Sequence, residues 1–72
     1  MESEILVFRT NINTFDQMKK VDTVLSGQTA IKKWNIDLDD CDKVLRIETS
    51  FLQIENVIDF LKPHDIFCEE LE

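Results

Sequence analysis

Apolar residues along the chain follow two spacings, one typical of strands and one typical of helices. The segment EILVFRTNI, from Glu4 to Ile12, is rich in apolar and β-prone residues and predicts a first strand. Between Thr14 and Ser26, apolar residues recur at helical spacing at Met18, Val21 and Leu25. Gly27, the only glycine of the chain, follows directly, and glycine is common just after the end of a helix. The pattern therefore predicts a first helix from Thr14 to Ser26.

The middle of the chain predicts a β-hairpin. A strand opens at Ile31, and every second residue is then apolar, at Trp34, Ile36 and Leu38. The polar sequence DDCD, from Asp39 to Asp42, is typical of a turn, and VLRIE, from Val44 to Glu48, predicts the third strand.

A second helix and a final strand follow. Ser50-x-x-Gln53 has the spacing of a capping box, which predicts that Ser50 caps this helix. Pro63 cannot continue a helix and marks its end. The segment IFCEEL, from Ile66 to Leu71, predicts the last strand. The apolar stripe of the helix consists of Ile54, Val57, Ile58 and Leu61.

The order β-α-β-β-α-β predicts an α+β ferredoxin-like sandwich, with two helices on one face of a four-stranded antiparallel sheet. At 72 residues we expect one domain, covering positions 1–72. Trp34 is expected to pack under a helix rather than to bind a ligand. The side chains expected in the core are Leu6, Phe8, Val21, Leu25, Ile36, Leu45, Ile47, Ile54, Ile58, Leu61 and Cys68.

Charge restricts the partners. The formal charge is −7, from 15 acidic and 8 basic residues. Such a chain is a poor match for nucleic acid or an anionic membrane, because both are bound mainly through Lys and Arg. A basic protein partner is compatible with this charge, and so is an acidic surface that only keeps the protein soluble.

The two cysteines, Cys41 and Cys68, lie far apart and form no CxxC pair, so reduced thiols are expected. No long apolar run predicts a membrane span, and MESEILVF lacks the basic start of a signal peptide, so we expect a cytoplasmic protein. The sequence has neither a glycine-rich phosphate loop nor a nucleophile beside a histidine base, so it is not expected to be an enzyme.

Several segments, taken in order, carry a family resemblance: FRTNIN, IKKWNID, DKVL and IENVIDFLKPHDIFCEEL. Together they resemble the heavy-metal-associated domain of copper chaperones and metal-transporting ATPases, over nearly the whole chain. With the periodicity, this resemblance implies the strand order 4-1-3-2. The family's loop reads roughly G-M-x-C-x-x-C-x-x-x-V-x-x-x-L, and its V and L match Val21 and Leu25.

In this alignment the two metal-binding cysteines are replaced by Thr14 and Gln17. A hydroxyl and an amide are hard ligands that cannot take the place of thiolates on Cu(I), so no metal or other cofactor is expected. Thr14-x-x-Gln17 also has the spacing of a capping box, which predicts that both residues hold the helix start. A weaker alternative is a metal site in which His64 and Cys41 join nearby carboxylates.

The antiparallel order places the first loop, the DDCD turn and the His64 loop at one end of the sheet. The residues there that are expected to contact a partner are Thr14, Phe15, Asp16, Asp39, Asp40, Asp42 and Asp65. The function expected is that of a metal-site-less relative of the family, a small non-catalytic interaction or accessory module that is monomeric. The alternative is a copper-type chaperone or transport protein that uses non-standard or partner-supplied ligands.

Overall fold

The structure is a computed structural model that describes residues 3–71. Met1, Glu2 and Glu72 of the expected single domain lie outside the described residues. The elements follow the predicted order: β1 (Glu4–Thr10), α1 (Phe15–Ser26), β2 (Ile31–Asp37), β3 (Val44–Thr49), α2 (Ile54–Leu61), a short 3₁₀ turn (Lys62–His64) and β4 (Cys68–Glu70). Along residues 3–71, no helix is long and apolar enough to cross a membrane.

The four strands form one antiparallel sheet in the order β2-β3-β1-β4. This order is the predicted 4-1-3-2 read from the other edge, and the α+β ferredoxin-like prediction is confirmed. The register aligns Phe8 with Leu45 and Leu45 with Ile36, so one row of apolar side chains crosses three strands. A β-bulge near Lys32 interrupts the pairing of β2 with β3.

The core lies between the sheet and the helices. Eight side chains of the predicted core are buried: Leu6, Phe8, Val21, Leu25, Leu45, Ile47, Leu61 and Cys68. The other three, Ile36, Ile54 and Ile58, pack against this core but stay partly exposed. Ile36 lies on an edge strand. Ile54 and Ile58 lie on α2 beside the buried Val57 and Leu61. Trp34 likewise packs against the core, as expected. Buried apolar side chains absent from the predicted core are Ile12, Val44, Val57 and Ile66.

The predicted cap of the second helix was wrong. The helix begins at Ile54, with Gln53 as its N-cap, and the Asn56 side chain accepts a hydrogen bond from the Gln53 backbone at 2.9 Å. Ser50 lies before the helix because the hydroxyl of Thr49 organises a turn there, accepting hydrogen bonds from the backbones of Phe51 and Leu52, both at 3.3 Å.

Two strands are shorter than predicted. β1 ends at Thr10 because the Thr10 hydroxyl donates to the Lys43 carbonyl at 2.6 Å and accepts from the Ile12 backbone at 3.3 Å, which turns the chain away from the sheet. β4 covers only Cys68–Glu70. Pro63 does end the α-helix, and it lies within the 3₁₀ turn that follows.

Candidate functional site

Three connections meet at one end of the sheet, which we call the loop end: residues 11–14, 38–43 and 65–67. The Thr10 backbone donates to the Asp42 carbonyl at 3.0 Å, which ties the first loop to the hairpin turn. On the other side, Asn11 donates from its backbone to the Phe67 carbonyl at 3.3 Å and accepts from the Phe67 backbone on Oδ1 at 3.0 Å. The first loop therefore lies between the other two, as the strand order predicts.

The start of α1 is held by the predicted capping box. The Thr14 hydroxyl accepts a hydrogen bond from the Gln17 backbone at 3.1 Å. The Gln17 Oε1 accepts from the backbones of Asn13 at 2.8 Å and of Thr14 at 3.2 Å. Backbone amides at a helix start otherwise lack partners within the helix, so this reciprocal bonding fixes the loop conformation.

The donor set at this helix start does not fit a copper-type ion. The Thr14 hydroxyl and the Gln17 amide oxygen are hard ligands, and both are already engaged in the capping box. Soft ions such as Cu(I) prefer thiolate or thioether ligands, and neither residue supplies one.

Two apolar residues near the start of α1, one in the first loop and one in the helix, have opposite environments. Ile12 is fully buried beneath the loop. Phe15, in the first turn of α1, is 75% exposed, and the Lys19 ammonium lies 5.5 Å from the centre of its ring. Because the exposed Phe15 lies beside the loop end and its aspartates, it is a candidate contact residue.

The aspartates of the hairpin turn also stabilise the turn itself. Asp37 Oδ1 accepts from the Asp39 backbone at 3.1 Å, and Asp40 Oδ1 accepts from the Asp42 backbone at 2.8 Å. Lys43 has a left-handed backbone with a φ of 48°, and its ammonium donates to the Leu38 carbonyl at 2.9 Å. The backbone of the turn is therefore preorganised by the carboxylates of Asp37 and Asp40.

One basic side chain lies against the turn on the open face of the sheet. Arg9 forms ion pairs with Asp42 and Glu69, each at 3.1 Å. Hydrogen bonds to Glu69 and then to Asp42 raise the pKa of Arg9 above its ordinary value. Among residues 3–71, no ion pair involves Asp16, Asp39, Asp40 or Asp65, so the loop end carries an excess of negative charge.

The structure does not join His64 to Cys41. Within the described chain, the one group of three potential metal ligands is Asp40, Cys41 and Asp42, whose ligand atoms lie within 4.8 Å of one another. His64 is exposed in the 3₁₀ turn and is not part of this group. Both cysteines are free, Cys41 being exposed and Cys68 buried, and burial raises the pKa of Cys68 to about 11.

Phe67 is a surface residue of the loop end that the sequence interpretation missed. The residue is 54% exposed, and Asn11 bonds to both its backbone N–H and its carbonyl. The alternation of IFC contained the signal, because Ile66 and Cys68 are buried and the residue between them must face outward. Asp65, two residues before Phe67, has a left-handed backbone with a φ of 60°.

The structure places the expected contact residues Thr14, Phe15, Asp16, Asp39, Asp40, Asp42 and Asp65 in or beside the three connections of the loop end. Most are exposed, whereas Asp40 and Asp42 are half-buried. The loop end thus presents exposed phenylalanines together with carboxylates.

Comparisons with solved structures agree with this architecture. The structure is similar to the apo form of the HMA domain of a copper chaperone for superoxide dismutase, with a TM-score of 0.82 and 15% identity, over 99% of this chain and 69% of that chain. It is also similar to the yeast copper transporter domain Ccc2a, determined in apo and Cu(I)-loaded states, with a TM-score of 0.78 and 11% identity, over 94% of each chain. No protein-family model and no curated protein matches the sequence. The chain therefore has the fold of heavy-metal-associated domains.

Proposed function

We propose that this protein is a non-catalytic interaction module built on the fold of heavy-metal-associated domains, with Thr14 and Gln17 at the positions of the metal-binding cysteines. Two observations support the proposal. The structural neighbours have metal-binding folds of this kind, and the two side chains at the start of α1 form a capping box instead of a thiolate pair. The loop end then has no ion to carry and serves as a contact surface.

The partner proposed for this surface is a basic protein. The observation that carries this proposal is the exposure of Phe15 and Phe67 at an end of the molecule that also bears uncompensated aspartates. Aromatic side chains commonly supply the central contacts of protein interfaces, and charged residues around them speed encounter and select the partner. Because two acidic ends repel each other, the same surface disfavours self-association, which agrees with the expected monomer.

The proposal is tested by recovering partners from native cells on immobilised protein at low salt. The triple variant Asp39→Asn, Asp40→Asn, Asp42→Asn should lose the recovered partners, and added salt should weaken the unmodified complex, since the Debye length is about 8 Å at physiological ionic strength. Unchanged recovery in both cases would show that the acidic end is only a soluble surface.

A pair of matched variants distinguishes a specific aromatic contact from nonspecific hydrophobic adsorption. Phe15→Ser should reduce recovery of the partner, because Phe15 lies at the loop end. Phe51→Ser removes an equally prominent ring, 68% exposed, from the connection between β3 and α2 and should leave recovery unchanged. Equal losses from both variants would contradict docking at the loop end.

A further inference from the structure

The exposed ring of Phe15 already holds a cation within the molecule. The Lys19 ammonium lies 5.5 Å from the centre of the ring, and a cation within about 6 Å of that centre is attracted to the negative face of an aromatic ring. The two residues lie four positions apart in α1, which places their side chains on the same face of the helix. The structure therefore shows that this ring can accept a cation.

The contact between Lys19 and Phe15 is weakly held. Within residues 3–71 the ion pairs are those of Arg9, so no carboxylate fixes the Lys19 ammonium in place. Both side chains are exposed to solvent, and a contact between a cation and a ring is weak when water surrounds it. A cation brought by a partner can therefore displace Lys19 from the ring.

The surroundings of Phe15 favour an incoming cation. The aspartates in or beside the loop end that form no ion pair with any of residues 3–71 are Asp16, Asp39, Asp40 and Asp65. Their charge attracts a cationic group to this end before it meets the ring. Arginine suits the ring better than lysine does, because its guanidinium is planar, stacks on aromatic faces and is more weakly hydrated.

We propose that Phe15 binds an arginine side chain of the partner on the ring face that Lys19 now occupies, so that Lys19 competes with the partner. This inference rests on the proposed function, and it adds the chemical group that is recognised and an internal competitor for it. Removal of Lys19 should therefore strengthen the complex beyond the effect of its charge. Lys20 gives the measure of that charge effect, because it is exposed and lies next to Lys19 on a different side of the helix.

The test is an NMR titration of the ¹⁵N-labelled protein with an acetylated, amidated Arg-Ala-Arg-Ala-Arg peptide. Shift changes should concentrate at the Phe15 ring protons and at the amides of the loop end. The same peptide with citrulline in place of arginine has the same shape without the charge and should bind more weakly. Lys19→Ala should raise the affinity for the arginine peptide about two- to fivefold more than Lys20→Ala does.

A double-mutant cycle assigns the competition to the ring. Phe15→Leu keeps an apolar side chain but removes the ring, so in that background Lys19→Ala and Lys20→Ala should have equal effects.

Three results would overturn the inference: equal gains from the two alanine variants in the unmodified background, equal affinity for the citrulline peptide, or no shifts at the loop end at millimolar peptide. The proposed function is judged separately, by whether the triple aspartate variant loses the partners recovered from native cells.

Discussion

At the start of α1, the side chains of Thr14 and Gln17 each accept a hydrogen bond from the backbone N–H of the other residue. The Thr14 hydroxyl accepts from the Gln17 backbone at 3.1 Å, and the Gln17 side-chain oxygen accepts from the Thr14 backbone at 3.2 Å. The same loop in the metal-binding family, by the sequence resemblance, carries two cysteines at these positions. The pair therefore links the stability of the helix start to the proposed loss of a metal site.

Removal of the cap should destabilise the fold modestly. Thr14→Ala should lower the free energy of unfolding by about 1 kcal/mol, because the amide of Gln17 loses its acceptor. Urea denaturation measures the loss. Thr23→Ala is the matched control, since the Thr23 hydroxyl donates to the Lys19 carbonyl one turn back within α1 and caps no helix end. An equal loss in both variants would contradict the capping role.

The metal prediction uses the same two positions. The unmodified protein should bind Cu(I) at least about a thousandfold more weakly than a two-cysteine relative, because its thiols, Cys41 and Cys68, are isolated from each other. The double variant Thr14→Cys, Gln17→Cys should create a tight site. Competition with a Cu(I) chelator measures both affinities.

Each outcome of that competition has a distinct meaning. Thr14→Cys alone is the control and should stay weak, because one thiolate does not hold the ion. A folded double variant without added affinity would show that the alignment of this loop with the family is wrong. Tight one-to-one binding by the unmodified monomer would instead support the alternative function, a metal carrier with non-standard ligands.

Most of the fold followed from periodicity, whereas local hydrogen bonding set the details that the sequence interpretation missed. The capping box at Thr14 was predictable because its two partners lie three residues apart in one helix turn. The similar spacing at Ser50 gave a wrong prediction of the helix start. The Thr49 hydroxyl accepts hydrogen bonds from the backbone amides of Phe51 and Leu52, and the helix begins only at Ile54. Competition between neighbouring hydroxyl groups is not visible in a spacing pattern.

The position of the loop end was predictable from the sequence, whereas the conformation of residues 65–67 was not. Strand order brings the three connections together, and their aspartates were visible in the sequence. The exposure of Phe67 and the left-handed backbone of Asp65 depend on the hydrogen bonds between Asn11 and Phe67, a tertiary contact across 56 residues of sequence.

Truncation of the core should test the packing of α1. Leu25 is buried, and Leu25→Ala should cost about 2–5 kcal/mol, enough to unfold a small domain of marginal stability. Circular dichroism during urea denaturation gives the loss. Leu38→Ala, at an exposed position of the hairpin turn, is the control and should change little. A loss below about 1 kcal/mol for Leu25→Ala would mean that α1 packs differently.

Burial of Cys68 should make stability fall in alkali. Burial raises the pKa of Cys68 from 9.0 to about 11, so the folded protein keeps the thiol proton over a range in which the unfolded chain has lost it. The folded state then binds more protons, and its stability must decrease as the pH rises between these two values. Urea denaturation of the unmodified protein from neutral pH to about pH 11 should show this decrease. Cys68→Ala lacks the titrating group and should lose less stability over that range, whereas Cys41→Ala should follow the unmodified protein. If Cys68→Ala shows the same pH profile as the unmodified protein, other groups cause the alkaline loss and the thiol is not held neutral by burial.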